Sequence, residues 1–177
     1  PTRAMFSCTR VGCEIVQKAF SENKRLDSSL AIPWSGQIDL SGDGIPEVIR
    51  REGVKLSIVQ GNSKVWQSPS NWNVVDFALG DPNDDGRAEV VVALHKTDPF
   101  GVLQSHPFIL GFRGGLYRLL WGGSAVAQPI RELEIGDVDG DGVHELIVIE
   151  EQRDGKQTLA VWRWHGWGFN LGWRSLP

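Results

Sequence analysis

The sequence predicts an all-β protein, a propeller-type array of four-stranded antiparallel blades. Three observations predict it. Apolar residues come in short β-branched and aromatic runs cut by Gly, Asn, Asp and Pro, with no long segment of helical period. A nine-residue acidic loop recurs three times, each time followed by a strand-like run. Trp66, Trp121 and Trp173 fall at one equivalent place near the end of each repeat.

The first element, residues 1–30, holds no acidic loop. Ala4–Cys8 and Cys13–Phe20 read as an N-terminal hairpin or partial blade, and Ser21–Ser29 as a polar, exposed connection. The spacing of Cys8 and Cys13 allows a small local disulfide or two free thiols. Two cysteines with no nearby His cannot make a zinc site. No run reaches the length of a membrane span. The chain opens on Pro1 rather than Met, so it reads as a mature or excised product, which leaves room for an upstream export signal that has been removed.

Residues 31–69 form the first repeat. Gln37–Asp39 leads into Asp39-Leu-Ser41-Gly-Asp43-Gly44-Ile45-Pro-Glu47, followed by strands at 46–52, 55–60 and 64–66 with a turn at Gly61-Asn62. Residues 70–125 form the second. Trp72–Leu79 leads into Asp81-Pro-Asn83-Asp-Asp85-Gly86-Arg87-Ala-Glu89, and Ala88–His95 leads out. A Pro- and Gly-containing connection, Lys96–Ser105, precedes a hairpin that turns at Gly114-Gly115 and ends on Trp121. Residues 126–177 form the third, in which Ile130–Gly136 leads into Asp137-Val-Asp139-Gly-Asp141-Gly-Val143-His-Glu145 and 144–150 leads out. Two further strands end on Trp173. The spacing is 42 residues from Asp39 to Asp81 and 56 from Asp81 to Asp137. Propeller blades run about 40–50 residues, so the longer unit carries an insertion, read as Lys96–Ser105.

The third loop shows what such a loop is for. Its carboxylates stand at positions 1, 3, 5 and 9, and Gly at position 6 makes the turn. Four like charges this close repel unless a cation sits among them. Hard oxygen donors on a flexible loop favour Ca2+ over Mg2+, which wants strict octahedral geometry, and over zinc. An EF-hand shares this logic but closes with Glu at position 12 and is flanked by helices. Here the closing Glu is at position 9 and the flanks are strands. The third loop, with the most charge, is expected to bind best, and the first, with neutral Ser41, least. Up to three Ca2+ ions are expected, stapling strands one and two of each unit.

Charge supports a local role for the acids. The net charge is −4, yet ten acids occupy ligand positions of the loops. The remaining 12 acids face 18 Lys and Arg, leaving the rest of the chain at +6. No basic stripe points to nucleic acid.

The pattern D-x-[DNS]-x-D-G-x-x-E before an apolar strand resembles the FG-GAP/VCBS repeat family, which includes the Ca2+-binding blades of integrin α-subunit propellers. The resemblance covers about residues 31–177. The phrase that names the family is only hinted at in Phe77-Ala-Leu-Gly80. It implies metal ligands at Asp39, Ser41, Asp43, Glu47 and the Ile45 carbonyl. It implies them likewise at Asp81, Asn83, Asp85, Glu89 and the Arg87 carbonyl, and at Asp137, Asp139, Asp141, Glu145 and the Val143 carbonyl. It further implies an extracellular or cell-surface module for adhesion, structural assembly or protein interaction. Three blades are too few to close a propeller, which needs about four to eight. Completion by self-association or by neighbouring blades of a longer chain is therefore expected.

No G-x-S-x-G, H-E-x-x-H or P-loop is present, and His95, His106, His144 and His165 are scattered at turns and strand ends. The chain is read as non-enzymatic. The alternative is a carbohydrate-binding, lectin-like module that stacks a glycan on exposed Trp residues. Trp34, Trp72, Trp162, Trp164 and Trp167 are its candidates, with Trp162, Trp164 and Trp167 the best cluster. Trp66, Trp121 and Trp173 read instead as wedges filling space between blades.

Overall fold

The computed structural model describes residues 34–97, 99–123, 126 and 128–176. The expected N-terminal hairpin and both cysteines lie outside the described residues. Among the described residues, twelve strands form three four-stranded antiparallel sheets, each a simple up-and-down meander. The first holds β1 (Trp34–Ile38), β2 (Glu47–Glu52), β3 (Lys55–Gln60) and β4 (Ser63–Gln67). The second holds β5 (Val74–Gly80), β6 (Glu89–Thr97), β7 (Leu103–Arg113) and β8 (Leu116–Gly122). The third holds β9 (Ile130–Gly136), β10 (Glu145–Glu151), β11 (Gln157–Trp164) and β12 (Phe169–Arg174). No helix among the described residues is long and apolar enough to cross a membrane.

The sheets stack face to face in a propeller-like arrangement, and period-2 alternation decides which residue faces which neighbour. In the second sheet, Val90, Val92, Leu94, Phe108 and Leu110 point at the first, packing on Ile49, Leu56 and Ile58. The residues between them, Val91, Ala93 and Ile109, point at the third, packing on Leu133, Leu146, Val148 and Ala160. The second sheet is buried on both faces, which is why β6 reads as an unbroken apolar run rather than an alternating one.

The first strands of the three sheets lie near one another. β5 runs beside both β1 and β9. The buried Asp76 carboxylate in β5 accepts a hydrogen bond from the Leu133 N–H of β9 at 3.0 Å. The approach is close enough that a Cβ on Gly80 would meet Ile135 at 2.9 Å.

The insertion in the second unit takes a different form from the one its sequence suggests. Lys96–Ser105 is no irregular connection: Lys96 pairs with Gln104 and Thr97 with Leu103. The extra residues extend an ordinary hairpin, because antiparallel partners can lengthen together at no cost in unpaired backbone groups.

The three Trp positions match in detail. Trp66 pairs with Ile58, Trp121 with Ile109 and Trp173 with Val161. A register shift follows at the same place in each ladder, leaving Val65, Leu120 or Gly172 as the extra residue before the Trp. Such a bulge bends the outer strand and increases its twist. Trp66 meets Trp72 edge-on at 5.9 Å, and Trp72 in turn lies 5.2 Å from Phe108 in the second sheet. Trp121 meets Trp164 and Phe169 of the third sheet, both at 5.5 Å. These two rings fill the gaps between sheets as expected. Trp173 is 47% exposed.

Candidate metal centres

All three acidic loops join the first and second strands of their sheets, and all three use one hydrogen-bond template. The position-1 Asp accepts backbone N–H groups from across the loop. Asp39 takes those of Gly42 (2.7 Å) and Gly44 (2.8 Å), and Asp137 those of Gly140 (2.7 Å) and Gly142 (2.9 Å). Asp81 takes those of Asp85 (3.1 Å) and Gly86 (2.7 Å). The position-5 Asp accepts the N–H of position 7, at 2.8 Å in the first loop, 3.1 Å in the second and 2.9 Å in the third. The position-6 glycines all take the left-handed conformation, with φ of 83°, 78° and 87°. Only Gly adopts this without strain, which explains the fixed D-G pair.

The position-9 glutamates are buried: Glu47 and Glu89 at 0% exposure and Glu145 at 2%. A buried carboxylate needs donors on both oxygens. In two loops the N–H of position 2 supplies one. Leu40 donates to Glu47 Oε2 at 2.8 Å and Val138 to Glu145 Oε2 at 3.0 Å. In the second loop position 2 is Pro82, which has no N–H. Glu89 Oε2 is accordingly buried with no hydrogen-bond partner.

The other oxygen finds a different donor in each loop. Tyr117, reaching across from β8 of the second sheet, donates its hydroxyl to Glu47 Oε1 at 2.6 Å. Arg113 Nη2 lies 2.5 Å from Glu89 Oε1 and 2.6 Å from Asp85 Oδ2. Arg163 Nη2 lies 2.8 Å from Glu145 Oε1, 2.7 Å from Asp139 Oδ2 and 2.9 Å from Asp141 Oδ2.

Electrostatics follow this wiring. Burial pushes the Glu89 carboxyl up to about 7, and the Arg113 bond offsets only part of that. Backbone N–H bonds, that of Gly44 foremost, hold Asp39 below the ordinary carboxylate range. That of Gly142 does the same for Asp137. Burial, then the bond to Glu47, pushes the Tyr117 hydroxyl up. The bond to Glu145 leads the causes that raise the Arg163 guanidinium.

The fold gathers Asp81, Asp85 and Glu89, and separately Asp137, Asp139 and Glu145, with ligand oxygens of each group within 4.8 Å of one another. Asp141 joins the second group through Arg163. The first loop is not among these groups. Gln60 Nε2 holds Asp43 at 3.2 Å, and Ser41 Oγ lies 3.4 Å from Asp39. Asn83 accepts the Asp85 N–H at 3.2 Å. The side chains of Ile45 and Arg87 are exposed, so those residues, like Val143, offer the loop only a carbonyl. The donor set fits a hard divalent ion: oxygen only, highly charged, with one buried oxygen in need of a partner.

The residues missed in the sequence are the side-chain partners of the glutamates, Tyr117, Arg113 and Arg163, and Pro82, which denies Glu89 the backbone donor the other two have. Arg163 had a usable signal. In a meander, the residue opposite the closing Glu follows from the turn positions, and it is a cation in the loop of highest charge. Tyr117 comes from another sheet and left no local signal.

The Trp cluster divides. Trp162 and Trp164 pack against the core between the second and third sheets. Arg174 lies 5.8 Å over the Trp162 ring, and Trp164 meets Trp121 and Phe169 edge-on. Trp167 is 81% exposed, and its carbonyl accepts the Trp121 indole N–H at 2.9 Å. His95 lies 2.9 Å from the carbonyl of Ile130, the first residue of β9, and His106 lies 3.2 Å from that of Gly123, just after β8.

No family model matches the chain. No curated protein matches it either. Among solved structures, the crystal structure of BBS1N in complex with ARL6DN, soaked with lead, matches with a TM-score of 0.33 and 14% identity. The match covers 83% of this chain and 54% of that one, so the chain spans about half the length of the structure it resembles.

Proposed function

We propose that the protein is a non-enzymatic Ca2+-binding repeat module in which ions bound at the three loops staple the first strand of each sheet to the second. The observation that best supports this reading is the lone oxygen of Glu89, buried beside Asp81 and Asp85 with nothing to bond. An unpartnered buried carboxylate oxygen costs about 1–3 kcal/mol or more. A divalent ion removes that cost and the mutual repulsion of the acids together.

A ligand that binds only the folded state stabilises by RT ln(1 + [L]/Kd), about 2.7 kcal/mol at 100-fold excess over Kd. Three such sites rival a domain's net stability of roughly 5–15 kcal/mol. Thermal melts in EDTA and in millimolar Ca2+ test the staple. The expected result is a large fall in Tm in EDTA, and an unchanged Tm overturns it.

Biologically, we place the module outside the cell or on its surface, where Ca2+ is abundant, in adhesion, assembly or protein interaction. The FG-GAP/VCBS resemblance supports that placement. Three sheets stacked in series also favour completion by self-association or by further blades of a longer chain, which solution mass with and without Ca2+ tests. The glycan-binding alternative retains Trp167 as its exposed platform. Titration with sugars, read by Trp fluorescence, separates it from a purely structural module.

A further inference from the structure

We propose that Arg113 and Arg163 are resident counter-cations of the second and third loops, which hold the acids together when no ion is bound and must leave for Ca2+ to enter. This rests on the Ca2+ reading of the loops and adds to it an exchange, one guanidinium out for one ion in.

Geometry at Arg163 makes the case. One nitrogen, Nη2, lies within 2.9 Å of three carboxylate oxygens, those of Asp139, Asp141 and Glu145. An NH2 group has two hydrogens, so three acceptors exceed what directional bonding can use. The nitrogen sits there chiefly as positive charge, drawn to the point where three anions converge. Ca2+ takes oxygens at about 2.3–2.6 Å, so an ion serving the same three oxygens would coincide with that nitrogen. Two cations cannot share the place.

The second loop reaches the same arrangement by another route. Val90 pairs with Leu110 and Leu146 with Trp162, so one residue back Glu89 faces Gly111 where Glu145 faces Arg163. A side chain at Gly111 would have to displace its neighbours: a Cβ there would meet Leu120 Cδ1 at 2.8 Å and Glu89 Cγ at 3.1 Å. Arg113, two residues on and on the same face of β7, reaches back to Asp85 and Glu89 instead. Two different sequence positions thus deliver the same cation to the same acids. The orphaned Glu89 Oε2 shows that Arg113 only half satisfies its loop. In the first loop the corresponding residue is neutral Gln60, bonded to Asp43, and Glu47 is served by Tyr117. That loop has fewer acids and no resident cation.

Exchange predicts opposite effects on affinity and on metal-free stability, which a purely structural ion pair does not. The experiment is calorimetric titration with CaCl2, paired with melts in EDTA, on the wild type, Arg163→Gln, Arg163→Lys and Arg113→Gln. Arg163 is already 37% exposed, so its replacement should leave a foldable protein. We expect Arg163→Gln to tighten one Ca2+ site at least tenfold, leave the others unchanged, and lower the Tm in EDTA. Arg163→Lys should fall between it and the wild type. Arg113→Gln should tighten a different site. Ca2+ binding by the wild type with equal or weaker affinity in Arg163→Gln overturns the exchange and leaves the Ca2+ reading standing. Absence of binding in every variant, wild type included, overturns both.

Discussion

The second and third units have the same four strands, the same loop spacing and the same bulge before Trp, yet differ in how firmly those parts are held. In the third loop Glu145 is tethered through Val138 and neutralised by Arg163. In the second, Pro82 removes the tether and Asn83 replaces an acid. Asp84 is forced to φ 55°, where the other loops have Gly42 and Gly140. The aromatic wedges differ in the opposite sense. Trp121 is covered by Trp164 and Phe169 of the next sheet, and Trp173, its counterpart, is 47% exposed. A repeated motif therefore fixes backbone path and ligand positions. What each copy contributes depends on positions the motif leaves open and on what lies next to it.

The wedges should show the largest difference. Trp121→Ala removes two ring contacts and the indole bond to Trp167, and should cost about 3 kcal/mol, the low end for a large ring that is only partly buried. Trp173→Ala should cost less than about 1 kcal/mol. Urea unfolding of both variants measures the gap. Equal losses would mean that the third sheet packs its outer Trp as tightly as the second does.

The closing glutamates should differ in sign. In EDTA at pH 8, Glu145→Gln sets an amide donor against either the Val138 N–H or the Arg163 guanidinium. It should cost about 2 kcal/mol, part of the charge effect being lost to solvent around Arg163. Glu89→Gln should cost nothing or stabilise. Burial raises the folded-state value of Glu89 to about 7 from 4.5. The stability linked to its protonation is therefore present below about 4.5 and lost as pH rises through about 7. At about 1.4 kcal/mol per pH unit, that amounts to at most about 3 kcal/mol at pH 8. The wild type should weaken over this window in EDTA while Glu89→Gln stays level, as melts from pH 4.5 to 8 will show. In Ca2+ both variants should lose stability, since both remove a ligand.

Restoring the tether is a smaller change. Pro82→Val gives position 2 an N–H within reach of Glu89 Oε2, as Leu40 and Val138 have for their glutamates. A hydrogen bond to a charged group contributes about 1.5–3 kcal/mol, and the lost rigidity of Pro offsets about 0.4–1 of it. A net gain of about 1 kcal/mol in EDTA is expected. No gain at all would point to a loop whose backbone keeps position 2 out of reach.

How much of this was legible beforehand depended on sequence distance. The loops, the strands around them and the Trp positions were readable, because each is local: Asp at 1 and 5 bonds N–H groups within five residues. Lys55–Gln60 and Ile130–Gly136 match their expected bounds to the residue. Lys96–Ser105 reads as an irregular connection because Pro99 and Gly101 suggest a break. Yet Lys96 and Thr97 pair with Gln104 and Leu103, and the chain turns at the tip around Gly101. Most donors to the closing glutamates were invisible, since Tyr117 lies 70 residues from Glu47 and Arg113 lies 24 from Glu89. The sugar-platform reading of Trp162 and Trp164 followed from their shared face, and the structure turns that face toward the second sheet.

The finest distinction between the two loops lies at position 4. Asp84 holds φ 55°, and Gly140 holds 78°. The left-handed region costs an ordinary L-residue about 1–2 kcal/mol, less for Asp, whose side chain bonds locally. In the third loop the Gly140 N–H reaches Asp137 Oδ1 at 2.7 Å. In the second, the bond to Asp81 Oδ1 comes from Asp85 instead, at 3.1 Å. Asp84→Gly removes the strain and one negative charge beside Asp81 and Asp85, while the freer unfolded chain opposes both gains. The net effect in EDTA should be a gain of about 0.5 kcal/mol. In saturating Ca2+ the gain should shrink or vanish, because the charge that repels the empty loop's acids also attracts the ion. Paired denaturant curves for the wild type and Asp84→Gly under the two conditions measure it. A gain of the same size in both would mean that Asp84 acts on the backbone alone and not through the field at the second loop.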